Sequence, residues 1–305
     1  MVSKNKQNVI ILPTEEDVAT GLAPYVAGLS EKTISEKGSF SVVLSGGTLI
    51  QTLRKLTECP YKETVNWSKW LIFWVDERVV PLNNPDSNYL LAWNGFLSKG
   101  VDRVSVARNY GLVEMGLIFW VDERVVPLDD PQSNYLLALN GFLSKVPIPK
   151  ENIYPINYSP SAETVAQDYE AQLRKLVADK VLPLSSTGFP QFDLILLGVG
   201  PDGHVASLFP NRPQRYNKKD WVTFIEDAPK EPPKRITFTF PVINSATCIA
   251  MVVTDEEEAD AVYITLEHKP HLPPLPCSEV KAQLNLSWFL NWDAASKLPS
   301  STNKK

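Results

Sequence analysis

Cysteine, histidine and methionine are scarce, three of each in 305 residues. Cys59, Cys248 and Cys277 are far apart, odd in number and without C-x-x-C spacing, which argues against a disulfide framework or a structural zinc site. A reducing compartment is the expectation. No run approaches the roughly 18 consecutive apolar residues of a membrane span. The opening MVSKNKQNVI also lacks the apolar core of a secretory signal, so the reading is a cytoplasmic protein without a membrane partner. Ser296-Lys297-Leu298 spells a peroxisomal tripeptide, but that signal is read only at the extreme C-terminus and further residues follow it. Charge of neither sign dominates: 30 Lys and Arg stand against 35 Asp and Glu, a formal charge of -5. No sequence-wide positive field favours nucleic acid, and an anionic ligand needs a local basic pocket. What is present, 44% hydrophobic and 21% charged residues, excludes disordered and fibrous classes and suffices for a sizeable core.

One feature of the chain is repeated. LIFWVDERVVPLNNPDSNYLLAWNGFLSK at 71–99 recurs as LIFWVDERVVPLDDPQSNYLLALNGFLSK at 117–145, 46 residues later, and only four of the 29 aligned positions differ. Solenoids need about three or more units that drift in sequence while keeping a core pattern. Two near-identical copies instead suggest a tandem duplication, or a misjoined reading of the gene, laid over a single-copy fold. The alternative is a genuine strand-helix segment added to the sheet. Strong linkers are absent, so residues 1–305 are expected to form one domain with the repeat inside it.

Strands and helices alternate. Val9 to Leu12 is a short apolar run, Thr14 a cap, and Val18, Leu22, Tyr25, Val26 and Leu29 a helical face. Ser41 to Leu44, Leu71 to Val75 (or Leu117 to Val121) and Phe192 to Leu197 are further buried runs. A helix from about Ser161 to Asp179 carries Val165, Tyr169, Leu173 and Leu176 on one face. This order implies an α/β fold with a mainly parallel sheet covered by helices on both faces. Farther on, Arg235 to Phe240 alternates with period two like a half-solvated strand, and Cys248 to Val253 is a buried run. Asp255 to Leu266 reads as helical, and Leu286 to Ala295 as a closing aromatic helix.

The segment FDLILLGVGPDGHVASLFP, Phe192 to Pro210, ends a buried strand in a loop with three glycines, an acid and a histidine, where open α/β sheets place ligands. His204 is the candidate general base, and Asp202 the carboxylate that orients it. The alternative is a histidine capping a helix that starts around Val205. Gly198, Gly200 and Gly203 formally give G-x-G-x-x-G. That dinucleotide fingerprint needs a longer helix than Pro210 and Pro213 allow, and Asp202 would face a diphosphate. Ser45-Gly46-Gly47-Thr48 joins a strand to a helix and can offer backbone N–H groups to a phosphate; a plain capped turn is equally compatible. Asp76-Glu77-Arg78, repeated as Asp122-Glu123-Arg124, puts an arginine able to grip phosphate at a strand's end with acids that can hold it. A surface ion pair is the alternative. His268 and His271 flank Lys269-Pro270 without partners at ligand spacing, so no metal is expected. Glu256-Glu257-Glu258 reads as a solvated first helical turn.

In their order, LSGGT, FWVDERVVP followed by DSNY, the GPDGH segment, PPKRITFTFPVINSA and SWFLNWDAAS resemble the landmarks of the 6-phosphogluconolactonase family, plant-like members in particular. That family is related to the glucosamine-6-phosphate deaminases. The resemblance runs from Val9 to about Ser296 and implies a Rossmann-like α/β fold. It also implies cofactor-free hydrolysis of 6-phospho-D-glucono-1,5-lactone, the small-molecule partner. On this reading His204 activates water, Asp202 and Gly203 shape its loop, and Ser45, Gly46, Gly47 and Arg78 or Arg124 anchor the phosphate. Asp76, Glu77, Asp122 and Glu123 support the arginines. Three departures stand out: Leu49-Ile50 after the SGGT turn where the family has a proline, Asn211-Arg212 after SLFP, and Glu258 where a phosphate-facing lysine is usual. They keep open a degenerate sugar-phosphate-binding paralogue, beside an amino-sugar-phosphate deaminase or isomerase.

Overall fold

Asn8–Leu12 (β1) is extended, and its chain turns at Pro13 into a helix, Glu15–Lys37 (α1). Thr14 starts that helix with a reciprocal cap: its hydroxyl accepts from the Asp17 N–H at 3.2 Å while the Asp17 carboxylate accepts from the Thr14 N–H at 3.1 Å. Gly38 ends it at φ +84°, donating to the Ile34 carbonyl. Val18, Leu22 and Val26, one turn apart on one face, are wholly buried. The computed structural model describes residues 7–44, 49, 52–74, 118–119, 153–154, 161–229, 233–270 and 274–299.

The remaining strands are Phe40–Leu44 (β2), Trp70–Trp74 (β3), Ile118–Phe119 (β4), Ile153–Tyr154 (β5), Leu194–Leu197 (β6), Val222–Ile225 (β7), Arg235–Phe238 (β8), Cys248–Val253 (β9) and Asn285–Asn291 (β10). Among the described residues β7 and β8 form an antiparallel pair, and the other eight form one sheet in the order β1-β10-β9-β6-β2-β3-β4-β5. Every neighbouring pair in that sheet is parallel. The helices Ala162–Ala178 (α2), Phe240–Ser245 (α3) and Ala259–Leu266 (α4) lie between strands in sequence. All residues of β6 and β9 are buried, so the centre of the sheet is covered on both faces. The fold is the α/β arrangement that the alternation of strands and helices implies.

Strand order fixes where a ligand can enter. From β2 the chain proceeds to β3, β4 and β5 on one side; from β6 it proceeds to β9 and β10 on the other. The order reverses between β2 and β6, which pair through Leu44 and Leu196 at their carboxyl ends. Loops leaving such a pair diverge and open a crevice. At the opposite end the same pair is tied by Asp193. Its carboxylate accepts from the Ser41 N–H at 2.9 Å, the Ser41 hydroxyl at 2.8 Å and the Lys37 ammonium at 2.6 Å. This buried charge is satisfied on both oxygens, as burial requires.

Three expectations are corrected. Leu286 to Ala295 is not a helix: β10 occupies Asn285–Asn291 and a turn follows. The strand is inserted between β1 and β9 with Leu286 to Asn291 all buried, so its apolar residues run without alternation and imitate a helix's apolar content. Arg235–Phe238 is not half-solvated. All four residues are buried, because the polar face of the ribbon lies against the loop after β6, with the Ser207 N–H donating to Thr237 Oγ1 at 3.3 Å. Glu258 is not solvated either, being only 9% exposed at the end of a 3₁₀ turn, Glu256–Glu258.

The repeat contributes to the sheet through both copies: Ile72 of the first pairs with Ile118, its counterpart in the second. Apart from Ile118 and Phe119 the second copy lies outside the described residues, as do 75–99 of the first.

Candidate active site

After β6 the chain enters a tight loop whose geometry depends on two glycines. Gly203 has φ +77°, and a Cβ on it would come within 2.9 Å of Leu275 Cβ. Its N–H donates to the Gly200 carbonyl at 2.8 Å, and the Gly200 N–H donates to the His204 carbonyl at 2.9 Å. A Cβ on Gly200 would fall 2.0 Å from His204 Cε1 and 2.1 Å from Nδ1. The bare Gly200 Cα is therefore the seat of the His204 ring.

Asp202 and His204 are brought together by this turn. One Asp202 carboxylate oxygen meets His204 Nδ1 at 2.5 Å and accepts from the His204 N–H at 3.3 Å. A carboxylate accepts only, so in the neutral ring Nδ1 is the nitrogen that carries the proton and Nε2 the one with the lone pair. The His204 side chain is 15% exposed and that of Asp202 42%, so the carboxylate is open to solvent and the ring partly shielded. On its other side the ring meets Phe209, centroids 4.6 Å apart.

Sequence reasoning missed the layer behind Phe209. Arg235, at the start of β8 and only 4% exposed, places its guanidinium carbon 5.7 Å from the Phe209 ring centre and donates from Nη1 to the Ser207 hydroxyl at 3.4 Å. An arginine in a strand otherwise composed of Ile, Thr and Phe was the available signal. The helix expected from Val205 is absent: Val205 bridges Leu208 in a turn, and a 3₁₀ turn forms only at Pro213–Tyr216. Positive φ at Ala206 (52°) and Asn211 (59°) interrupts the helical path. Hence His204 caps no helix, and Gly203 does not lead into the helix N-terminus that dinucleotide binding requires.

Cys277 also touches this loop, its N–H donating to the Gly203 carbonyl at 2.9 Å. Burial pushes its thiol up to about 11, and it sits 3.1 Å from the Thr265 hydroxyl, so it is no nucleophile at neutral pH. At the carboxyl end of β9, burial raises the Asp255 carboxyl above its ordinary range, with the charges of Glu15, Glu257 and Asp293 adding to the effect. Ser45, Gly46 and Gly47 lie outside the described residues. So do Asp76, Glu77 and Arg78 and their counterparts Asp122, Glu123 and Arg124.

A parallel α/β sheet carries an imidazole–carboxylate pair on the loop at its reversal point, the place where open α/β sheets receive small ligands. The profile of a family described as glucosamine-6-phosphate isomerases/6-phosphogluconolactonase matches residues 13–113 and 113–288. The chain belongs to that family. The division between its two matched stretches falls between the two repeat copies.

It is 46% identical over 293 residues to "Probable 6-phosphogluconolactonase 4, chloroplastic" of Oryza sativa subsp. indica, covering 95% of this chain and 76% of that one. To "6-phosphogluconolactonase 3, chloroplastic" of Arabidopsis thaliana it is 44% identical over 296 residues, 97% and 76% of the two chains. The solved 6-phosphogluconolactonase of Trypanosoma brucei shares the fold, with a TM-score of 0.67 at 22% identity over 97% of this chain and all of that one. Among the described residues no helix is long and apolar enough to cross a membrane.

Proposed function

We propose that this protein hydrolyses 6-phospho-D-glucono-1,5-lactone to 6-phospho-D-gluconate, the lactone-opening step of the oxidative pentose phosphate pathway. The observation that carries the reading is the 2.5 Å contact between Asp202 and His204 Nδ1, which leaves Nε2 free to take a proton. Nε2 removes a proton from water as the water oxygen attacks the lactone carbonyl carbon. The carbonyl oxygen becomes a tetrahedral oxyanion, for which backbone N–H groups of the loop are donors. Collapse breaks the bond from that carbon to the ring oxygen, and the imidazolium returns its proton to the departing oxygen. The products are a hydroxyl and a carboxylic acid, which ionises.

In this reading the phosphate is held by Ser45, Gly46 and Gly47, which follow β2 in sequence, together with Arg78 or Arg124. Asp76 and Glu77, or Asp122 and Glu123, hold the arginine side chain. Binding of that remote group fixes the lactone carbon against Nε2 and so supplies catalytic positioning. Residues 1–305 act as one domain, and no cofactor enters the reaction. The proposed compartment is the cytoplasm, consistent with three free thiols, one of them exposed. Imaging a fluorescent fusion of the full chain tests this, and import into chloroplasts refutes it.

The function is tested by following acid release from fresh lactone against its spontaneous hydrolysis. Wild-type protein is expected to exceed the spontaneous rate, and His204→Ala to lose about 10²–10⁴-fold in kcat. Equal turnover by both refutes the role of His204. A second reading, a sugar-phosphate-binding paralogue without turnover, is favoured by one observation, the buried Glu258 in the 3₁₀ turn that follows β9. Binding of 6-phosphogluconate with no acceleration of lactone opening selects it. Ammonia release from glucosamine 6-phosphate instead selects a deaminase.

A further inference from the structure

Arg215 follows His204 by 11 residues, its side chain is only 1% exposed, and it is bound to a segment far along the chain that holds the dyad's loop. Its Nε donates to Glu279 Oε1 at 2.6 Å, and its Nη2 donates to the same oxygen and to the Pro274 carbonyl. One guanidinium thus grips both ends of the stretch from Pro274 to Glu279. Between those two anchors, Leu275 lies against the Gly203 Cα, leaving no room for a Cβ, and the Cys277 N–H donates to the Gly203 carbonyl at 2.9 Å. Gly203 is the residue between Asp202 and His204. Its left-handed φ and the direction of its carbonyl set how the two side chains face each other.

We infer that Arg215 and Glu279 are positioning residues for the Asp202–His204 pair, acting through the 274–279 staple on Gly203. A guanidinium suits this task because its planar fork can hold a carboxylate and a carbonyl in one rigid geometry, which an ammonium cannot reproduce. The kinetic part of this inference rests on the general-base reading of His204; the geometric part does not. A misplacement of about 1 Å in a catalytic group is enough to lower turnover about 10²-fold.

The test uses the full chain with Arg215→Met, Arg215→Lys and Glu279→Gln. It reads kcat and KM per folded molecule, thermal unfolding, and the ring nitrogen resonances of His204 by ¹⁵N NMR. The expected result for Arg215→Met is a kcat lowered at least tenfold with KM within twofold. Its His204 nitrogen shifts should also move from an Nδ1-protonated ring toward a mixture of tautomers. Arg215→Lys should recover part of both. Glu279→Gln keeps an acceptor of the same shape on a side chain that is 40% exposed, and it should show a smaller movement in the same direction. A purely structural role predicts lower melting temperatures with kcat per folded molecule and the His204 nitrogen shifts unchanged in every variant; that result overturns the inference. Should the wild type open no lactone, the hydrolase reading fails while the nitrogen shifts still decide the clamp.

Discussion

Substituting Gly200 by alanine takes away the seat of the His204 ring. The added Cβ falls 2.0 Å from Cε1, 2.1 Å from Nδ1 and 3.0 Å from Asp202 Oδ1. Non-bonded carbons settle about 3.5–4.0 Å apart, so the imidazole must withdraw by about 1.5 Å or rotate out of the loop. Neither movement preserves a 2.5 Å contact with Asp202. Gly200 does not have a left-handed φ, so the backbone itself is not strained, and the ring can swing toward solvent. The effect therefore falls on catalysis more than on folding: about 10²–10⁴-fold in kcat, with at most about 1 kcal/mol of stability, or roughly 2–4 °C in melting temperature. Acid release from fresh lactone and a thermal melt measure the two. The decisive sample is the double variant with His204→Ala. If both changes act through one ring, the second adds nothing to the first. Wild-type turnover by Gly200→Ala, or losses that multiply in the double variant, would refute the reasoning.

Asp202→Asn keeps the shape of the pair but can donate to Nδ1 and so stabilises the wrong tautomer. Because this carboxylate is 42% exposed, a loss of about 10–100-fold in kcat is expected with KM little changed, and an unchanged kcat counts against an orienting role. Burial, ahead of three neighbouring acids, raises the Asp255 carboxyl, so the folded state prefers its protonated form. That preference is present below its unfolded value of 3.8 and is lost as pH rises through the folded value. Asp255→Asn should therefore melt higher than wild type at pH 7, by less than about 2 °C given its partial exposure, with the gap closing near pH 3. A gap independent of pH contradicts this. Iodoacetamide at pH 8 should label native protein at the exposed Cys59 alone, since Cys248 and Cys277 are buried with thiols held above their ordinary range. Peptide mass analysis reads the outcome, and alkylation of Cys277 in folded protein opposes it.

Sequence patterns revealed most of the sheet because its strands differ in how they are covered. Val9–Leu12 and Cys248–Val253 are short apolar runs bounded by turns, and Thr14 and Ser161 mark helix starts that the structure places one residue before α1 and α2. β10 was illegible because a strand buried on both faces has no alternation, and Trp288, Phe289 and Leu290 suit a helix equally well. A helix starting around Val205 is compatible with the sequence, because Val205, Leu208 and Phe209 have helical spacing. What breaks the helix is positive φ at Ala206 and Asn211, and alanine gives no sequence sign of that. The pairing of Asp202 with His204 was legible because the two residues share one short loop. Arg235 and Arg215 were not, since each joins the site through partners 28 to 64 positions away.

The reversal of strand order makes these separate observations parts of one design. A ligand in the crevice between the carboxyl ends of β2 and β6 meets loops that come from strands departing in opposite directions. On the proposed reading chemistry and anchoring occupy different loops, with His204 after β6 as the proton acceptor and Ser45-Gly46-Gly47 after β2 as the proposed phosphate-binding sequence. On that reading the proton acceptor has to be held by its own surroundings. Gly200 meets that demand from beneath the ring and Phe209 from its side. Leu275 and Cys277 meet it from behind the turn. If His204 is the base proposed above, a ring held in this way takes a proton from water without first reorganising its own loop.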